Sequence, residues 1–327
     1  MRKAASYVSK VYKYYLIPQI EDIISDDKKM THSKLAEMTE DVIMDPSQTK
    51  NLQKYNPIHL DVCFTPIIQS GDEYNLKPSA ISNDKNLSYG AIIVAMGSKY
   101  NCYCSYIART TLISCATDVE ETYKFLVTAR NKLISAMQPN AMLMEVYNSV
   151  RNYIKTNKPN LLQHFGKSLG CGIGLEFRET YSNIHAKNKR RVKPGMLFGI
   201  RIGFQNLQMK KSKKDYSLLL ADSLLITVDG NSLLTKGSVS FEDVSYSITD
   251  SDDEAEYIDA TPSKRRLRSD NKAKNRELDF GSSGMTEDER RQKQLEIAEH
   301  NAAEYARSGG FKKSTKNETS QDRKSVV

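Results

Sequence analysis

The sequence predicts an α+β domain over residues 1–240 with internal pseudo-symmetry, followed by a highly charged segment that has little to bury. Three observations predict it. Two successive blocks of similar length each read as helices followed by strands. Near residue 240 the composition switches from mixed apolar patterns to an acidic run and then a basic one. A hydrophobic content of 39% over 327 residues is enough for a sizeable core in part of the chain.

The elements follow in order. Tyr7, Val11, Tyr15 and Leu16 form a helical stripe that Pro18 is expected to kink, and Leu35, Met38, Val42 and Ile43 form a second, shorter one. Strand patterns come next at Leu60 to Gln69, Ser88 to Met96 and Tyr100 to Ile113, with Gly97-Ser98 read as a hairpin turn between the last two. The second block opens at Asp118 and Glu121, whose spacing is that of a capping box, ahead of a helix to about Met137. Met144 to Ile154 makes another helix. Strands then follow at Cys171 to Phe177, Met196 to Phe204 and Tyr216 to Val228. Such a sheet is expected to carry its helices on one face.

From Glu242 to Asp259 there are eight acidic residues and no basic one, including Asp250, Asp252, Asp253, Glu254 and Glu256. A basic cluster containing Lys264, Arg265, Arg266 and Arg268 follows. Residues 241–284 therefore read as an acidic-then-basic disordered linker. Thr286 and Glu289 again have capping-box spacing, which predicts an exposed, charged helix over 285–308, with a disordered tail over 309–327.

Composition excludes several classes. Every apolar run is shorter than the roughly 20 residues that span a bilayer, and the N-terminus leads straight into an amphipathic pattern, so a soluble intracellular protein is expected. Cys63, Cys102, Cys104, Cys115 and Cys171 are odd in number and lack paired C-x-x-C spacing, which favours reduced thiols over disulfides or structural zinc. Cys102 and Cys104 would share one strand face, but two ligands alone hold zinc poorly. No motif aims His164 or His185 at Cys171, so covalent catalysis by that thiol is not expected. The net charge of +8 points toward acidic partners, tempered by 48 basic and 40 acidic residues lying in separate blocks.

Specific residues also resemble a known family. Gly170-Cys171-Gly172-Ile173-Gly174-Leu175-Glu176-Phe177-Arg178-Glu179 resembles the G-H-G-I-G-L-E-x-H-E signature of methionine aminopeptidase, aminopeptidase P and prolidase. Lys193-Pro194-Gly195-Met196-Leu197-Phe198 is similar to their L-K-P-G-M-x-F turn and strand, and Ser70-Gly71, Tyr103, Ile107, Arg109-Thr110 and Asp229-Gly230 match further landmarks in order. The resemblance covers residues 1–240 and implies the pita-bread fold of those enzymes.

Their chemistry uses a dinuclear site in which two aspartates, a histidine and two glutamates hold ions about 3.5–4 Å apart and activate a bridging water. At the matching positions this chain carries Ala95, Tyr106, Cys171, Arg201 and Ala221. All five ligands are replaced. The proton-handling histidine becomes Arg178, and the substrate-side histidine falls near Pro78. The resemblance therefore implies a catalytically inactive domain with no cofactor and no metal.

One subfamily combines this fold with this loss, the large subunits of the FACT histone chaperone. His32-Ser33-Lys34-Leu35-Ala36-Glu37, Pro66-Ile67-Ile68-Gln69-Ser70-Gly71, Ala95-Met96-Gly97 and Met285-Thr286-Glu287-Asp288-Glu289-Arg290-Arg291 are similar to that subfamily in particular. The resemblance implies binding of core histones and nucleosomes, a nuclear and chromatin-associated location, and an HMG-box small subunit engaged through regions largely outside this chain. No membrane contact is implied, and direct DNA binding is expected to be weak or indirect. Other readings are a non-enzymatic peptidase-like interaction or RNA-binding protein and, less favoured, an active metallo-aminopeptidase.

The residues suggest how such partners would be met. Histone surfaces are basic, so the acidic run is an electrostatic attractor, with solvation alone as the other reading. Glu176 and Glu179 are candidate cleft partners for a basic side chain, unless Glu176 serves the fold. Arg178 and Arg201 would favour a carboxylate-bearing peptide end, unless they form structural salt bridges. Lys264, Arg265, Arg266 and Arg268 resemble a nuclear signal.

Overall fold

In the computed structural model the structure describes residues 1–210, 213–249 and 266–268. Helices α1 (Arg2–Val11), α2 (Ile17–Ser25) and α3 (His32–Met44) precede strands β1 (Leu60–Gln69), β2 (Gly90–Tyr100) and β3 (Tyr103–Ile113). The second block has α4 (Thr117–Ala136) and α5 (Leu143–Asn157), then β4 (Gly170–Ile173), β5 (Phe177–Glu179), β6 (Leu197–Gln208), β7 (Asp215–Thr227) and β8 (Gly230–Leu233). The described strands form one mixed sheet with the path β1-β2-β3-β7-β6-β4-β5, and β8 is added beside β7.

Period-two alternation sorts the side chains of this sheet onto two faces. On one face Ile92, Val94, Met96 and Ile107 join the core under α1 to α3, while Phe198, Ile200, Ile202, Leu218 and Leu220 join the core under α4 and α5. The intervening residues Ile93, Ala95, Tyr106, Ala108, Leu219 and Ala221 form a third cluster on the opposite face. Helices therefore cover one face, as predicted, and the other mixes alanines with larger apolar side chains.

Several local expectations are corrected. The bend near Pro18 is a π-helical turn at Tyr12–Leu16, with Pro18 in the first turn of α2, where its missing N–H is tolerated. Strand β2 runs straight through Gly97-Ser98, and the hairpin turns at Asn101 and Cys102, both with positive φ (48° and 65°). Gly97 serves packing instead, since a Cβ there would meet Cys63, Phe64 and Tyr106 at 2.9 to 3.1 Å and only the bare backbone admits those side chains. Cys102 is consequently an exposed turn residue that shares no strand face with the buried Cys104. The stretch from Cys171 to Phe177 is two short strands, because β4 and β5 form a hairpin.

Asp118 does not cap its helix. The N-cap of α4 is Ala116, and Asp118 instead accepts a hydrogen bond from the Lys210 amide at 2.8 Å. Ordered chain also continues past Ser240: α6 (Phe241–Val244) is followed by β9 (Ser245–Thr249), which pairs in parallel with β3 and buries Val244 and Tyr246. The first residues of the predicted linker are thus part of the fold. A short strand, β10 (Arg266–Arg268), pairs antiparallel with β9 and takes in Arg266 and Arg268 of the basic cluster. Asp250, Asp252, Asp253, Glu254, Glu256, Lys264, Arg265 and the helix expected over 285–308 lie outside the described residues.

A buried ion cluster ties the two blocks together. Asp222 on β7 receives Nη2 of Arg109 on β3 at 2.7 Å, and Nε and Nη2 of Arg130 on α4 at 2.7 and 2.6 Å. Thr235 adds a hydroxyl at 2.8 Å. Two guanidiniums share one carboxylate, so Asp222 is the group that keeps the buried charges paired.

Candidate functional site: a cavity without ligands for metal

Strand register brings the five replaced positions together. Ala95 on β2 lies opposite Ala108 on β3, Ala108 opposite Ala221 on β7, and Ala221 opposite Arg201 on β6. Gly199, two residues from Arg201, lies opposite Cys171 on β4, and Tyr106 is two residues from Ala108 on β3. These residues share one face, and Ala95, Tyr106, Cys171, Arg201 and Ala221 all line a single cavity of about 210 Å³. Arg178 and Pro78 line it as well.

Tyr106 lies among the aromatic residues of the cavity wall. Its ring packs edge-on against Phe177 (centroids 5.2 Å apart) and Phe64 (6.3 Å), and its hydroxyl donates to the Ile200 carbonyl at 3.3 Å. The ring fits only because residue 199 is glycine, whose missing Cβ leaves room for it. Arg201 donates to the carbonyl of Leu76, anchoring the 75–78 loop at the cavity wall. Burial lowers the pKa of its guanidinium, and nearby Arg178 adds to that. Burial likewise raises the Cys171 thiol to about 11, against partial opposition from Arg178 and Arg201.

The donor set does not fit a pair of divalent cations. Two alanines offer no donor, the Tyr106 hydroxyl is held neutral by burial and donates to the Ile200 carbonyl, the lone Cys171 is a soft ligand ill-suited to a pair of oxygen-seeking dications, and a guanidinium repels a cation. Among the described residues no group of three or more His, Cys, Asp or Glu could hold a metal ion. No step of hydrolysis through a metal-bound water can be derived for these residues.

The sequence-predicted acids fare differently from the arginines. Glu176 is exposed on the β4-β5 turn and does not line the cavity. Glu179 lies against Gly172 and Gly174 beside the cavity and accepts a hydrogen bond from Tyr181 at 2.7 Å. The apolar lining by Phe64, Ile67, Ile93, Phe177 and Leu219 is singled out by no sequence motif, although its signal is present as alternation along β1, β2 and β7. His32, quoted for its motif, is a buried structural residue between Asn83 and Ser70.

Comparison with known proteins agrees with this geometry, since metallopeptidase family M24 matches residues 1–250. The chain belongs to metallopeptidase family M24. Within the M24 fold it is similar to the FACT complex subunit SPT16 of Zea mays, with 38% identity over 322 residues, covering 94% of this chain and 29% of that protein. The chain thus spans under a third of that relative's length. Among solved structures it is similar to the N-terminal domain of FACT complex subunit SPT16 from Cicer arietinum, with 39% identity and a TM-score of 0.72 over 75% of this chain and 58% of that one. A prolidase from Thermococcus sibiricus shares the fold at 22% identity and a TM-score of 0.59, over 72% of this chain and 58% of that one. The resemblance to FACT large subunits and the pita-bread fold are thereby borne out, and no catalytic function is implied by the SPT16 relatives.

Proposed function

We propose that this chain is a non-catalytic, histone-binding domain of a FACT-type histone chaperone, acting in nucleosome reorganisation in the nucleus. The observation that carries the reading is the cavity itself: the five positions where the family holds its metals converge on one wall and carry alanine, tyrosine, cysteine, arginine and alanine. The likeness to FACT complex subunits supports it independently. Core histones and nucleosomes are the partners, with an HMG-box small subunit engaged through regions other than this chain. Direct DNA contact is weak.

Attraction would come from the acidic run that starts at Glu242 and holds eight carboxylates by Asp259. Lys264, Arg265, Arg266 and Arg268 would serve as the nuclear signal. The test is a titration of the chain with purified core histones beside duplex DNA and RNA over a range of salt. Preferential histone binding supports the proposal, whereas equal or tighter binding of nucleic acid with the steep salt dependence of phosphate contacts would favour the RNA-binding alternative.

A further inference from the structure

Charge is distributed one-sidedly around the cavity. Its lining includes three cationic side chains, Lys77, Arg178 and Arg201, and no aspartate or glutamate among the described residues. The remaining wall is largely apolar, contributed by residues such as Phe64, Ile93, Phe177 and Leu219. Among the described residues Arg201, which lines the cavity, spends one hydrogen bond on the Leu76 carbonyl, and a guanidinium has five donors. Arg178 makes no ion pair at all among the described residues, and its backbone is held at φ +81°, a region unfavourable for a bulky side chain. Both guanidiniums line the same cavity with no carboxylate in its lining among the described residues, an arrangement that an anion would relieve.

We propose that the cavity is a binding site for a carboxylate attached to a small apolar body. The carboxylate sits between Arg178 and Arg201, which offer planar, bidentate donors suited to it, and the apolar part lies against Phe64, Phe177 and Leu219. The apolar residues Phe64, Phe177 and Leu219 beside the two guanidiniums favour an anion that carries an apolar body over a bare phosphate dianion. The site thus has the opposite charge preference from the dication site that the family builds at the same place. The inference goes beyond histone binding, since it concerns recognition of a carboxylate inside the cavity and not a protein surface.

The carboxylate could belong to a free organic acid or to the C-terminus of a polypeptide, and the experiment separates them. Calorimetric titration of the full chain near neutral pH and low salt would use N-acetyl-leucine, N-acetyl-leucinamide, acetyl-Ala-Ala-Leu and its C-terminal amide. At least one acid is expected to bind about tenfold or more tightly than its amide, and Arg178→Gln should lose about tenfold in affinity for it. Arg178 is exposed, so that variant folds even where the more buried Arg201→Met does not. Tighter binding of the tripeptide acid identifies a chain terminus as the ligand, and tighter binding of the single residue identifies a free acid. Equal affinity for acid and amide, binding unchanged in Arg178→Gln, or no binding of either acid at millimolar concentration would overturn the proposal.

Discussion

Arg109 and Asp222 form a 2.7 Å ion pair in which both side chains are fully buried, and Arg130 closes the cluster from the helix layer. The pair links β3 of the first block to β7 of the second, directly behind the wall that Ala108 and Ala221 present to the cavity. Removing the acid strands two guanidiniums in the interior. Asp222→Ala is therefore expected to destabilise the domain by about 3–5 kcal/mol, read as a lower denaturant midpoint at unchanged slope. A loss under about 1 kcal/mol would mean that the cluster contributes little.

Tyr106 and Gly199 predict a second effect. Gly199→Ala places a methyl group against the Tyr106 ring and the Ile173 side chain, 3.2 Å away, and is expected to cost about 1–3 kcal/mol. Because the tightest conflict is with the Tyr106 ring, Tyr106→Ala should absorb most of it. In a double-mutant cycle, the Gly199→Ala penalty should shrink in the Tyr106→Ala background, and simple additivity would argue against the packing described.

The cavity thiol predicts a response to alkaline pH. In the unfolded chain Cys171 ionises near its ordinary value of 9.0, and in the folded chain only near about 11. Between those values the unfolded state holds fewer protons, so stability falls as pH rises through that window, by about 2–3 kcal/mol from this group. Cys171→Ala should show a shallower decline between pH 9 and 11 in paired denaturant titrations. Parallel curves for the two proteins would contradict the buried placement.

His32 predicts the opposite slope on the acid side. Its Nδ1 lies 2.6 Å from Asn83 Oδ1, and its Nε2 lies 2.7 Å from the Ser70 hydroxyl, which already accepts from the Ser88 amide at 2.9 Å. A neutral ring satisfies this arrangement by donating through Nδ1 and accepting at Nε2, and burial lowers its pKa from the ordinary 6.5. Below about pH 6.5 the unfolded chain takes up a proton that the folded one resists, so the stability due to this group is present above that pH and is lost as pH falls through the folded value. An NMR titration should find the His32 ring titrating below the exposed-histidine range, and a midpoint at or above 6.5 would refute it.

The fold was legible where side-chain period decided it. Alternation along β2, β3, β6 and β7 announced the strands, and motif spacing placed Ala95, Tyr106, Cys171, Arg201 and Ala221 on what proves to be one wall. Turns were less legible, because Gly97 and Asn101 compete for the hairpin. The deciding fact, that Cys63, Phe64 and Tyr106 need the space at Gly97, is a contact between strands far apart in sequence. The placement of Glu176 and Glu179 outside the cavity escapes the sequence for a similar reason: the β4-β5 hairpin turns Arg178 toward the cavity and leaves Glu176 on the turn. Sequence spacing carries no information about that bend.

The proposed function depends most heavily on the lost grip for divalent cations. Calorimetric titration of the purified chain with cobalt, manganese and zinc, paired with an assay for release of N-terminal residues from short peptides, measures it directly. The expected result is no saturable uptake at the cavity and no cleavage above the metal-only background. Uptake of two ions per chain at the cavity, accompanied by chelator-sensitive cleavage, would contradict it.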